Sequence, residues 1–207
     1  MKRHVHIALL ALCALAPLAA QTPKGWKMRV DKSTSASDPD AAGDIKFVTM
    51  GSGFHATNPT AAVYWNPSNT ASGNYTLKGT FTLMKPSGHN NYYGLVFGGS
   101  GLEGAQQSYL YFVVAQNGTW LIKRRDGEAT SNIAPKTPND AVQKPGADGK
   151  STNALEVRVG ADKVDFVVNG TVVHSEPKTA LAKTDGIYGI RVNHLLEVQA
   201  DGLAVSK

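Results

Sequence analysis

Cysteine is almost missing from this chain. Of 207 residues one is cysteine, Cys13, and it lies in an N-terminal segment expected to be removed. Disulfides and thiol catalysis are thereby excluded from the rest, which must be held by an apolar core alone. Long hydrophobic runs are missing too. The longest, Ile7 to Ala16, is far short of the roughly 20 residues that span a bilayer, so no transmembrane segment is expected. Charge is sparse at 18% of residues, and of the net +5 two charges are Lys2 and Arg3. The one basic cluster, Lys123-Arg124-Arg125, reads as a solvated strand end. A nucleic-acid groove needs a broader basic surface with stacking rings, so nucleic acid is not an expected partner. Helical periodicity is absent after the first twenty residues.

The N-terminus, MKRHVHIALLALCALAPLAAQ, has a basic start, a short apolar core and small residues at Ala19 and Ala20. That is the pattern of a secretory signal peptide over residues 1–20, with cleavage near Ala20–Gln21. Cys13 follows Leu12 and sits inside the apolar core, which argues against a lipid-attachment cysteine. The expected organisation is a signal peptide followed by one domain, residues 21–207, in an exported protein of the periplasm or the exterior.

Nearly all of that domain alternates with period two. In NYTLKGTFTLM, Tyr75, Leu77, Phe81 and Leu83 face one way and Thr76, Lys78, Thr80 and Thr82 the other. NALEVRVG does the same with Leu155, Val157 and Val159, and DKVDFVVNG with Val164, Phe166 and Val168. Such strands have one buried and one wet face. YYGLVFGG and SYLYFVVAQ are apolar on both faces and are expected to be central strands covered on both sides. Twice an Asn-Gly pair, Asn117-Gly118 and Asn169-Gly170, separates two such runs, which predicts type I′ hairpin turns. About a dozen strands at short spacing, with no helices between them, predict an all-β antiparallel sandwich. Two segments read as irregular, residues 31–44 and 126–152.

Three pieces of sequence carry a resemblance: a strand, an NG turn and a strand opening with Trp120; an N-x-L-x-V strand followed by V-x-F-x-V-N-G; and Gly186, Gly189, Arg191 and Val192 in G-x-x-G-x-R-V. Over roughly residues 75–205 the chain resembles the concanavalin A-like lectin/glucanase superfamily. It is most similar to the laminin-G-like and 3-keto-disaccharide hydrolase-like secreted domains of bacteria. The resemblance implies a two-sheet jelly roll with a concave face, and carbohydrate as partner on that face or on its rim loops. Rings stack on sugar C–H faces and polar groups bond hydroxyls. The candidates it implies are Trp65, Tyr92, Tyr93, Tyr109, Tyr111, Trp120, Arg125, Arg191 and His194. Each could instead fill a sandwich core.

Catalytic motifs are few. The E-x-D-x-x-E strand of family-16 glycoside hydrolases is absent. Asp126/Glu128 fall in a loop, and Glu156 and Asp165 read as wet-face residues paired with Arg158 or Lys163. His55, His89, His174 and His194 are the imidazoles that a keto-sugar reaction would draw on, and no two have metal-ligand spacing. GSGLEG matches G-x-G-x-x-G but precedes a strand, so it is an inter-strand loop and no dinucleotide site. In DPDAAGD, Asp38, Asp40 and Asp44 match part of a calcium loop that lacks its closing Glu. These three are the metal candidates, for a structural calcium. No cofactor is otherwise required. The expected function is a non-catalytic, lectin-like carbohydrate-binding domain. A hydrolase or lyase of the keto-disaccharide type and an envelope protein–protein interaction domain are the alternatives.

Overall fold

A computed structural model describes residues 23–33 and 35–207. The expected signal peptide, its cleavage point and Cys13 lie outside the described residues. The strands are β1 (Lys27–Asp31), β2 (Lys46–Met50), β3 (Gly53–Asn58), β4 (Ala61–Ala71), β5 (Tyr75–Lys85), β6 (Tyr92–Ser100) and β7 (Ser108–Ala115). They continue as β8 (Thr119–Asp126), β9 (Ala129–Pro138), β10 (Ser151–Val159), β11 (Lys163–Val168), β12 (Thr171–Pro177), β13 (Gly186–Val192) and β14 (Leu196–Ser206). Among the described residues the one helical element is a short 3₁₀ turn, Lys178–Ala180, and no helix is long and apolar enough to cross a membrane.

The strands form two seven-stranded antiparallel sheets. The first runs β1-β4-β13-β6-β7-β8-β9 and the second β12-β11-β10-β5-β14-β3-β2. The period-two residues meet between them. Tyr64, Tyr93, Leu95, Phe97, Phe112, Trp120 and Ile122 of the first sheet pack on Leu77, Phe81, Leu83, Leu155, Val157, Phe166 and Val168 of the second. Each such side chain contributes about 1.5–3 kcal/mol by leaving water, which is how a chain without disulfides is held.

The two Asn-Gly hairpins differ. Asn169 and Gly170 both have positive φ, 49° and 84°, and Val168 pairs with Thr171. That is the expected two-residue type I′ turn. At the other corner only Gly118 is left-handed, at 83°, and its N–H donates to the Ala115 carbonyl at 3.1 Å. This loop has three residues, with Gln116 as the extra one, and a glycine in the left-handed position as such loops require. Gln116 is held by two side-chain bonds to the backbone of Ser87, both 2.9 Å.

The segment 126–152 is not irregular throughout, because β9 occupies its first half. Its alternation is invisible in sequence because β9 is an edge strand with one fully buried residue, Ala134. An edge also tolerates Pro135 and Pro138, since one row of N–H groups has no partner to lose. The remainder, 139–150, is tied down by buried Asn153, which accepts from the Gln143 N–H at 2.8 Å and donates to its carbonyl at 3.1 Å. Segment 31–44 starts inside β1 and is irregular beyond it.

Candidate functional site on the concave face

Alternate residues of β6, β7 and β8 belong to two different clusters. Leu110, Phe112 and Val114 point between the sheets. Tyr109, Tyr111, Val113 and Ala115 point the other way and join Val63, Trp65, Tyr92, Val96, Leu102 and Leu121. Both faces of the central strands are therefore buried, as their composition predicts.

The second cluster is buried because the first sheet curls. β1 and β7 are four positions apart in the sheet, which in a flat sheet is about 19 Å at roughly 4.8 Å per strand. Yet the Tyr109 hydroxyl of β7 donates to Asp31 Oδ2 of β1 at 3.2 Å. Arg29 of β1 reaches still further, to Glu128 beyond β8, at 3.0 Å. The face away from the sandwich core is thus the concave one, and its edges are laced by charge.

Asp31 is the centre of the lacing, with its side chain 6% exposed. One oxygen accepts from Arg191 and Tyr109, and the other lies 3.8 Å from both Arg29 and Arg125. Arg191 also donates to the Tyr109 oxygen at 2.9 Å and to Asn193 at 3.1 Å, and lies 5.1 Å from the centre of the Tyr111 ring. Burial opposes its charge, and Tyr109, Asp31 and Tyr111 outweigh that, so Arg191 stays a guanidinium. The same burial pushes the Tyr109 phenol up, with Asp31 adding and Arg191 opposing.

At one end of the concave face the cluster opens into a depression of about 310 Å³. Its floor is Tyr92, Tyr111, Val113 and Leu121, and its walls carry Lys123, Lys136 and Arg191 with Asn90, Asn193, Thr130 and Asp38. Lys136 sits over the Tyr92 ring at 5.5 Å. Burial, then Lys136, then Arg191 hold the Lys123 ammonium below its ordinary range. Among the described residues neither Lys123 nor Lys136 has a carboxylate within 4.0 Å. The basic cluster is accordingly split by strand alternation. Arg124 pairs with Asp126 at 2.8 Å, while Lys123 and Arg125 face the concavity rather than forming a solvated strand end.

Beside the depression the irregular segment after β1 meets two loops. Asp38 Oδ1 is 3.0 Å from His194 Nε2 and 3.2 Å from His89 Nδ1. Asp40 Oδ1 is 2.9 Å from the other His194 nitrogen. The remaining histidines are apart from these. His174 pairs with Glu176 at 2.8 Å, and His55 lies 3.1 Å from Glu197.

Of the residues expected from sequence, Tyr92, Tyr109, Tyr111, Arg125, Arg191 and Trp65 come together on the concave face. His194 stands at its end. Tyr93 and Trp120 are in the core between the sheets, 0% and 3% exposed. The rings on the concave face are themselves covered, Tyr92 and Tyr111 by cations, so what a ligand meets there is mainly charge and amide. Asp38 and Asp40 turn to His194, while Asp44 lines a separate depression with Lys46 and Thr57, so the three carboxylates do not converge on one oxygen cage. Glu156 and Asp165 are paired on the wet face of the second sheet, with Arg158 at 2.7 Å and Lys163 at 3.0 Å. Asp31, Lys123 and Lys136 are not site candidates from sequence, and His89 is one only as an imidazole available to a keto-sugar reaction. Strand parity could have placed Lys123 with Tyr109 and Tyr111, but the curl that recruits Asp31 has no local signal.

No protein-family model and no curated protein matches the chain. Solved structures do. The carbohydrate binding module CBM66 from Bacillus subtilis aligns with a TM-score of 0.62 at 13% identity, covering 88% of this chain and 96% of that one. A GH16 protein from the mixed linkage glucan PUL of Bacteroides ovatus gives 0.60 at 8% identity, covering 90% and 97%. The beta-glucanase of Bacillus licheniformis gives 0.54 at 10%, covering 87% and 90%. The fold is the concanavalin A-like jelly-roll sandwich.

Proposed function

We propose that this protein is an exported, non-catalytic saccharide-binding domain whose concave depression takes an acidic sugar. The observation that supports it is the set of cations in that depression. Lys123 and Lys136 face each other and Arg191, and among the described residues no carboxylate lies within 4.0 Å of either lysine. Bringing like charges together over a half-dry floor costs free energy that an anionic ligand recovers. Asn90, Asn193 and Thr130 supply the amides and hydroxyl that sugar hydroxyls need. The neighbouring structures include a carbohydrate binding module and glucan-active proteins, which supports a saccharide over other anions. A glycan array probed with the full chain tests this: acidic oligosaccharides bind and their neutral counterparts do not.

A second reading, turnover of a keto-sugar, is favoured by one observation: His194 is held between two carboxylates at the end of the same face. An assay on 3-keto-glycosides decides between the two. Product formation that is lost in His194→Gln establishes the enzyme and ends the binding-only reading.

A further inference from the structure

We propose that Asp38, His89 and His194 bind a divalent cation of the zinc class at the end of the concave face. The three offer one ligand atom each, all within 4.8 Å of one another. A tetrahedral ion with ligand bonds of about 2.0–2.1 Å holds its ligand atoms about 3.3 Å apart. The two edges that Asp38 makes, 3.0 Å to His194 and 3.2 Å to His89, already have nearly that length. The rings of His89 and His194 stand 5.2 Å apart and nearly perpendicular, at 72°, so neither blocks the other.

The surroundings aim the ligands. The His194 ring is 6% exposed, and Asp40 Oδ1 sits 2.9 Å from its Nδ1. A carboxylate behind an imidazole fixes the tautomer with Nδ1–H toward the carboxylate and leaves the Nε2 lone pair free for an ion. Nε2 faces Asp38 Oδ1 at 3.0 Å, so an ion placed between them takes both as ligands. Each ligand-bearing segment is pinned. The Asp38 carbonyl accepts from Ser33 Oγ at 2.6 Å, Asp40 Oδ2 from the Ser33 N–H at 2.8 Å, and the His194 carbonyl from Asn91 Nδ2 at 2.7 Å. The Ser87 hydroxyl donates to the carbonyl of His89.

Two imidazoles and one carboxylate suit zinc or cobalt and not calcium or magnesium, which take oxygen donors. Three protein ligands leave a fourth vertex. Asp38 also lines the depression that holds Arg191 and Asn193, so that vertex is next to the proposed saccharide site. The cation site does not depend on the saccharide reading.

Titration of the full chain with Co(II), followed by visible absorption, tests the proposal. The expected result is one equivalent bound with the intense bands of a tetrahedral site, displaced by Zn(II) and not by Ca(II). His89→Ala and Asp38→Asn each abolish those bands. His89 is 41% exposed, so His89→Ala keeps its fold, checked by an unchanged metal-free Tm. His4 and His6 in the N-terminal segment are a competing pair. Bands that persist in His89→Ala come from there and overturn the proposal, as does the absence of stoichiometric binding.

Discussion

Tyr109 and Asp31 are hydrogen-bonded across 3.2 Å although their strands lie four places apart in one sheet. That bond records the curl of the first sheet, and the curl gives the molecule a second buried cluster and a concave site. Removing its centre is expected to be costly. Asp31→Ala leaves Arg191 buried without its counter-ion and lowers stability by about 3–5 kcal/mol. The double variant Asp31→Leu/Arg191→Met recovers most of that loss. Urea denaturation of the three variants measures both effects.

Gly170 tests the hairpin assignment. Its φ is 84° and a Cβ there meets nothing within 4 Å, so Gly170→Val is penalised by backbone conformation alone. It should cost about 1–2 kcal/mol, read from the same denaturation curves, while ligand affinity is unchanged because the turn lies away from the depression.

The core between the sheets should behave as a packed interior. Phe166, 0% exposed, contacts the rings of Phe97 and Phe112. Phe166→Ala should lose about 3–5 kcal/mol, measured as a fall in the denaturation midpoint with little change in slope.

Lys123 should show stability and function pulling apart. Its folded pKa is lowered from 10.5, first by burial and then by Lys136 and Arg191. A lysine with a lowered folded pKa binds its proton less well in the fold than in the unfolded chain. It therefore destabilises fully below the folded pKa, and the penalty disappears as pH rises to the ordinary lysine value. Lys123→Met should thus gain about 0.2–1 kcal/mol near neutral pH, and the gain should vanish above about pH 10.5. A Tm series in pH for the two proteins checks the sign.

How much of this was legible beforehand follows from locality. Period two in β5, β10 and β11 gave both the strands and the residues facing the core. The paired faces of β6 and β7 were readable from Tyr92 to Phe97 and from Tyr109 to Val114, because a strand apolar on both sides must be covered twice. β9 was hidden because an edge strand with one fully buried residue has no alternation to read. The pairings within the candidate site were hidden for a different reason, although Arg191 and His194 were themselves candidates. Asp31 and Arg191 are 160 residues apart in sequence, and His89 and His194 come from different loops, so no spacing could announce them. Aromatic composition marked the concave face through Tyr92, Tyr109 and Tyr111. It also drew in Tyr93, whose neighbour's parity places it in the core.

In the proposed function the lysine pair and Arg191 receive an acidic sugar. Calorimetric titration with oligogalacturonate and with its carboxyl-reduced, neutral form tests it, since the two share a backbone and differ in charge. The expected result is binding of the acidic form alone, weakened by added salt and reduced at least about 10-fold in Lys123→Met and in Lys136→Met, since a charged hydrogen bond contributes about 1.5–3 kcal/mol. Equal binding of both forms, or acidic binding untouched by either substitution, would contradict it.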